Sequence, residues 1–116
     1  MKKLSLVCVA GALVASFAFA ADDLCAVAPA HCKILKEDAK VRVIDYTAKK
    51  GDKLPMHSHP AFVVYIIKAG KTKFTLADGT TKELASKDGE AQINPPVRHS
   101  QEHLEDVHAI LVEFKQ

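Results

Sequence analysis

The sequence predicts an all-β domain, a small antiparallel barrel or sandwich, and three observations carry that expectation. Short runs rich in Val, Ile, Phe and Tyr recur about every 8–12 residues. Turn signals stand between them: Gly70-Lys71, Asp78-Gly79, Lys87-Asp88-Gly89 and Pro95-Pro96. From residue 21 onward no stretch keeps the apolar spacing of an amphipathic helix. With 116 residues the chain has room for one small domain.

The first stretch is expected to lie outside that domain. Lys2 and Lys3 precede an apolar run from Leu4 to Phe19, which ends in Ala18-Phe19-Ala20. That is the layout of a secretory signal peptide cleaved before Ala21. A membrane anchor is the rival reading, but the run is at the low edge of the roughly 17–25 residues a span needs. A lipoprotein is disfavoured, because Val7 precedes Cys8 and acids precede Cys25. Cleavage removes two lysines, which account for the whole formal charge of +2. The mature chain then offers no basic patch for nucleic acid and no membrane segment. The expected location is periplasmic or secreted. The expected division is a signal peptide over 1–20, an N-terminal arm over 21–39 and a β-barrel domain over 40–116.

Cys25 and Cys32 stand in the arm with six residues between them. In an oxidising compartment such a pair is expected to form a disulfide that closes a small loop. A metal site using the adjacent His31 is the rival, and the spacing does not suit a redox pair. A turn or two of helix is expected around 34–38.

The strands follow in order. Residues 40–47 alternate Val41 and Val43 with Arg42, and 48–55 read as a polar connection. Residues 62–68 (FVVYIIK) are β-branched and aromatic, too short for a helix, and read as a central strand. Residues 73–77 alternate again, and 82–86 form their return strand. Asp78-Gly79 between them predicts a tight primed turn with positive φ at both positions. Residues 90–94 make a short strand stopped by Pro95-Pro96, which cannot donate to a ladder. Residues 97–102 and 107–114 complete roughly eight strands.

The histidines are the functional signal. The mature part keeps all six. His57 and His59, one residue apart, share a face of any strand that holds them. Two imidazoles can reach one ion at about 2.0–2.2 Å, but a metal needs further ligands. His99 arrives forty residues after His59, just beyond Pro95-Pro96, and an antiparallel barrel can bring it alongside. A lone HxH pair is more often structural than metal-binding; His99 and the surrounding Gly and Pro landmarks tip the balance.

These residues resemble the two motifs of the cupin family. The first motif, G-x5-H-x-H-x3,4-E-x6-G, is matched by Gly51, His57, His59 and Gly70, with Val63 at the glutamate position. The second, G-x5-P-x-G-x2-H-x3-N, is matched more loosely by Gly89, Pro95, His99 and His103. Its second glycine is missing, it is one residue shorter, and His103 stands in place of asparagine. The resemblance spans about residues 40–114. It implies a cupin-type antiparallel β-barrel, a double-stranded β-helix or jelly roll. It also implies a divalent metal (Fe, Mn, Zn or Ni) held by His57, His59 and His99.

Val63 cannot bind a metal, and His103 is the candidate replacement, with Gln101 a weaker one. The implied partners are a small-molecule ligand and a second copy of the chain. The implied activity is that of a dioxygenase-like oxidoreductase. The alternative is a non-enzymatic periplasmic metal- or ligand-binding module.

Other residues carry less. Tyr65 and Ile67 are in parity with the histidines and are candidate pocket residues, with ordinary core the stronger reading. Phe62 and Phe74 are core candidates, and His108 is expected to be structural and part-buried. His31 is expected to be exposed, and Arg98 to face away from the cavity. Ser58 has no nucleophile-elbow context.

Overall fold

The computed structural model describes residues 21–115. The signal peptide expected over 1–20, with Cys8, lies outside the described residues. Among the described residues nine strands form two antiparallel sheets that enclose a cavity: β1-β2-β9-β4-β7 and β3-β8-β5-β6. In chain order they are β1 Cys32–Glu37, β2 Val41–Ala48, β3 Lys53–His59, β4 Phe62–Lys68 and β5 Lys71–Leu76. β6 Thr81–Ala85, β7 Ala91–Asn94, β8 Val97–His103 and β9 Val107–Phe114 complete the set. The all-β expectation holds.

The arm departs from its expected shape. Its helical part is earlier, a short α1 at Leu24–Val27 followed by a 3-10 turn at Pro29–His31. Asp23 starts α1, its carboxylate accepting from the backbone N–H of Cys25 and Ala26 at 2.9 and 3.1 Å. Leu24 is buried in the core, a contribution of about 1.5–3 kcal/mol. The helix expected at 34–38 is absent. Two isolated turns cannot hold a helix without packing, whereas pairing with β2 from Cys32↔Tyr46 to Glu37↔Arg42 gives the backbone its partners. The expected disulfide joins Cys25 to Cys32, tying α1 to the start of β1.

The core follows from strand alternation. Ile44, Tyr46 and Ala48 of β2, Phe62 and Ile66 of β4, and Ala109 and Leu111 of β9 are buried. The opposite face of this sheet is also apolar. Val43, Val112, Val63 and Ile93 lie in one direct row across β2, β9, β4 and β7. Tyr65, Ile67 and Phe114 flank it, each more than two-fifths exposed, and Ile93 is 89% exposed.

Two turns show why glycine stands where it does. In the β5–β6 hairpin only Gly79 takes a positive φ, of 90°. Asp78 stays at negative φ, so the turn is not the primed one expected. Its carboxylate instead accepts from Thr80 backbone N–H and Oγ1 at 2.9 and 2.7 Å, which stabilises a wider loop. At Gly70 a Cβ would run into the Asp106 carbonyl oxygen, so the crossing of these two segments requires glycine.

Candidate metal centre

The site begins with an irregularity in β3. Lys53 and Leu54 pair with Glu102 and Gln101, but His57 pairs with His99, so β3 carries one extra residue around Pro55 and Met56. This bulge reverses the strand's parity. Leu54 before it and His57 and His59 after it all face the interior. Pro55 cannot donate to a ladder, which is why a bulge can form there. It also shortens the expected polar connection, since β3 begins at Lys53.

The register then places His99 of β8 directly opposite His57. The three rings converge, with centroids 4.9 Å apart for His57–His59 and His57–His99 and 5.2 Å for His59–His99. One nitrogen from each lies within 4.8 Å of the other two. All three are buried, His57 completely. The three nitrogens thus surround one point at which an ion could be held.

Each orientation has a cause. His57 Nδ1 donates to the Pro55 carbonyl at 2.8 Å, a product of the bulge. His59 Nδ1 donates to Glu113 Oε2 at 2.7 Å, and the His59 ring stacks on Phe62 at 4.5 Å. Both bonds fix the tautomer that leaves Nε2 free, the arrangement in which a carbonyl or carboxylate orients a ligating imidazole. The Nε2 atoms of His57 and His99 are buried without a hydrogen-bond partner.

Burial pushes the His57 ring down to about 4 and the His99 ring down to about 3. The Pro55 carbonyl partly opposes this at His57. Both are therefore neutral at pH 7, the form that binds a metal. Two buried neutral rings with unpartnered Nε2 atoms, converging with His59, fit a divalent ion.

Glu113 is the functional residue that sequence reasoning missed. It is fully buried and its Oε1 has no partner. The signal was present. In VHAILVEF it shares parity with Ala109 and Leu111, the inward residues of β9. An acid on the buried side of an apolar strand needs a partner.

His103 does not join the group. Four residues beyond His99 on the same strand, it stands about 13 Å further along at roughly 3.3 Å per residue. Its nitrogens meet Tyr46 Oη at 2.7 Å and Thr72 Oγ1 at 3.1 Å instead. Val63, at the expected glutamate position, faces outward beside Ile93 and Val112, while Val64 lines the cavity. Tyr65 and Ile67 face outward too. The loop between β3 and β4 shifts parity, so Phe62, Val64 and Ile66 turn inward instead.

The remaining expected residues fall into place as follows. Gln101 lines the cavity, as does Phe74. Arg98 faces out and pairs with Asp22 at 2.9 Å. His108 is part-buried against Asp45 at 2.5 Å. His31 is less exposed than expected, its Nδ1 bonding the Thr47 carbonyl at 2.9 Å.

The cavity beside the histidines measures about 300 Å³. His59, His99, Phe62, Phe74, Val64 and Leu111 form its wall near the site. No Asp or Glu lines it among the described residues.

The sequence matches no family profile and no curated protein. Its fold does match solved structures. A cupin domain from Bordetella pertussis aligns over 73% of this chain and 92% of its own, with TM-score 0.65 and 17% identity. A cupin superfamily protein from Desulfitobacterium hafniense aligns over 73% and 76%, with TM-score 0.57 and 11% identity. KdgF from a Halomonas species aligns over 72% and 77%, with TM-score 0.52 and 22% identity. At these identities the likeness establishes the fold: two antiparallel sheets arranged as in a small single-domain cupin.

Proposed function

We propose that the protein binds one divalent metal ion through His57, His59 and His99 and presents it to a small molecule in the cavity. The observation that carries this reading is the pair of buried, partnerless Nε2 atoms on His57 and His99, converging with His59. Leaving a polar atom buried and unpaired costs about 1–3 kcal/mol. A bound cation would offset that cost. Fe, Mn, Zn and Ni all accept imidazole nitrogen to differing degrees. When bound, the ion would supply Lewis acidity or, as iron, the redox chemistry of a dioxygenase-like oxidoreductase.

The chain's own residues do the rest. The Pro55 carbonyl and the Glu113 carboxylate hold two of the rings in their ligating tautomers. Phe62 stacks on His59, and Val64, Phe74 and Leu111 make the wall near the ion apolar. A second reading, a non-enzymatic metal- or ligand-binding module of the periplasm, is favoured by one observation. With Val64 inward and no acid in the cavity wall, no carboxylate among the described residues is placed to act as a base on a ligand. The disulfide between Cys25 and Cys32 supports an oxidising compartment for either role.

Elemental analysis of protein isolated from its native compartment tests the metal. One equivalent of a transition metal is expected, and its loss in the His57→Ala and His59→Ala variants. Metal-free native protein, or variants that retain the metal, would refute the reading. Oxygen uptake with small thiols, diketones and flavonols then separates enzyme from module, turnover favouring the first. Intact-mass measurement of exported protein tests the leader, with Ala21 expected at the mature N-terminus.

A further inference from the structure

Tyr46, His103 and Thr72 form a hydrogen-bonded chain in the cavity wall, away from the three converging histidines. All three are buried, at 5%, 1% and 6% exposure, and all three line the cavity. Tyr46 Oη lies 2.7 Å from His103 Nε2, and Thr72 Oγ1 lies 3.1 Å from His103 Nδ1. Two hydroxyls and a neutral imidazole carry three polar hydrogens among them. The two hydrogen bonds consume two, so one hydroxyl proton is left over at one end of the chain.

Acidity assigns the end, and the distances agree with it. The shorter contact suits an O–H donor and the longer one an N–H donor. Phenol is also the stronger acid of the two hydroxyls. Tyr46 therefore donates to Nε2, and Nδ1–H donates to Thr72 Oγ1. The Thr72 proton then has no acceptor among the described residues.

Thr72 pairs with His103, and Leu76, further along β5, pairs with His99. The Thr72 hydroxyl is thus set about 13 Å along the strand from the level of the third histidine. Phe74 and Gln101, paired with each other, occupy the level between. Among the described residues no acid lines the cavity, so no fixed negative charge opposes an anion there.

We propose that Thr72 is a ligand-binding residue, its hydroxyl donating to an acceptor oxygen at one end of a two-ended ligand. The other end is an oxyanion at the histidine group. The ligand class is a small, largely apolar carboxylate bearing a second oxygen, such as an oxo acid. The inference rests on the metal reading above.

The test is calorimetric titration of the zinc-loaded protein with two matched series. One is the straight-chain alkanoates from pentanoate to nonanoate. The other is the same acids with a carbonyl on the penultimate carbon. At one chain length or more the oxo acid is expected to bind about fivefold to tenfold tighter than its parent, the worth of one hydrogen bond. In Thr72→Val the ratio should fall to about one with zinc content and alkanoate affinity unchanged, while melting falls because His103 Nδ1–H loses its acceptor. Thr72→Ser should restore it.

Equal affinities at every length in the wild-type protein would overturn the inference, as would a preference that survives Thr72→Val. Zinc stoichiometry, measured on the same samples, separates the two failures. Near one zinc per chain with no oxo preference sinks this inference alone, whereas no zinc uptake sinks it together with the metal reading.

Discussion

Replacing Glu113 with Gln isolates what its carboxylate does. The side chain is fully buried, accepts one hydrogen bond of 2.7 Å from His59 Nδ1, and leaves its other oxygen unpartnered. Gln keeps the shape and can still accept from Nδ1, but the charge that makes His59 a stronger ligand is gone. Loss of a carboxylate behind a ligating histidine costs about 10–100-fold in metal affinity, or about 1.4–2.7 kcal/mol. The folded metal-free protein responds in the opposite sense. A buried charge with one partner is expensive to hold, so the neutral amide should leave melting unchanged or raise it. Competition against a chelator of known affinity, with melts of the metal-free form, measures both. A dissociation constant within a factor of two of wild type would refute the reasoning. Falling stability at constant metal affinity would mean that Glu113 is a structural residue only.

Three further outcomes are expected. His57, His99 and His103 are held down to about 4, about 3 and about 4 by burial, each from an ordinary 6.5. The unfolded chain therefore binds more protons below neutrality. Thermal melts of the metal-free protein should show stability present above pH 6.5 and lost progressively toward pH 4, and a flat profile would contradict this. Cutting the short Cys25–Cys32 loop with the double Ser variant should cost about 2–3 kcal/mol by chemical denaturation, and no change would mean the arm is held by packing alone. We also propose that the apolar row of Val43, Val112, Val63 and Ile93 packs against a second copy of the chain, since the nearby charges of Asp45 and His108 already satisfy one another. Sedimentation should show a dimer that Val63→Lys dissociates, and a wild-type monomer would rule it out.

The parts of the fold written in local pattern were legible. Strands β2, β4, β7 and β9 follow directly from alternation or β-branched runs, and the DG and PP pairs mark where strands stop. Features set by tertiary pairing were not. Residues 34–37 have no strong preference of their own and became strand because β2 offered a ladder. Strand parity failed where an extra residue or a loop intervened. The bulge at Pro55 turns His57 inward alongside Leu54, and the loop after His59 turns Val64 inward where Val63 was expected.

The same division runs through the site. His57 and His59 could be paired from spacing, and His99 from the Gly and Pro landmarks around it. His103 shares their face yet stands too far along the strand, a separation that face counting alone does not register. Glu113 lies fifty-four residues from His59, and only the register of β9 against β4 and β2 shows what it would meet.

An anomalous difference map collected at the absorption edge of the metal found in the native protein bears most directly on the histidine group. A single peak within bonding reach of one nitrogen each from His57, His59 and His99, lost in His99→Ala, is the result this structure leads us to expect. A peak elsewhere, or none in protein that elemental analysis shows to be loaded, would contradict it.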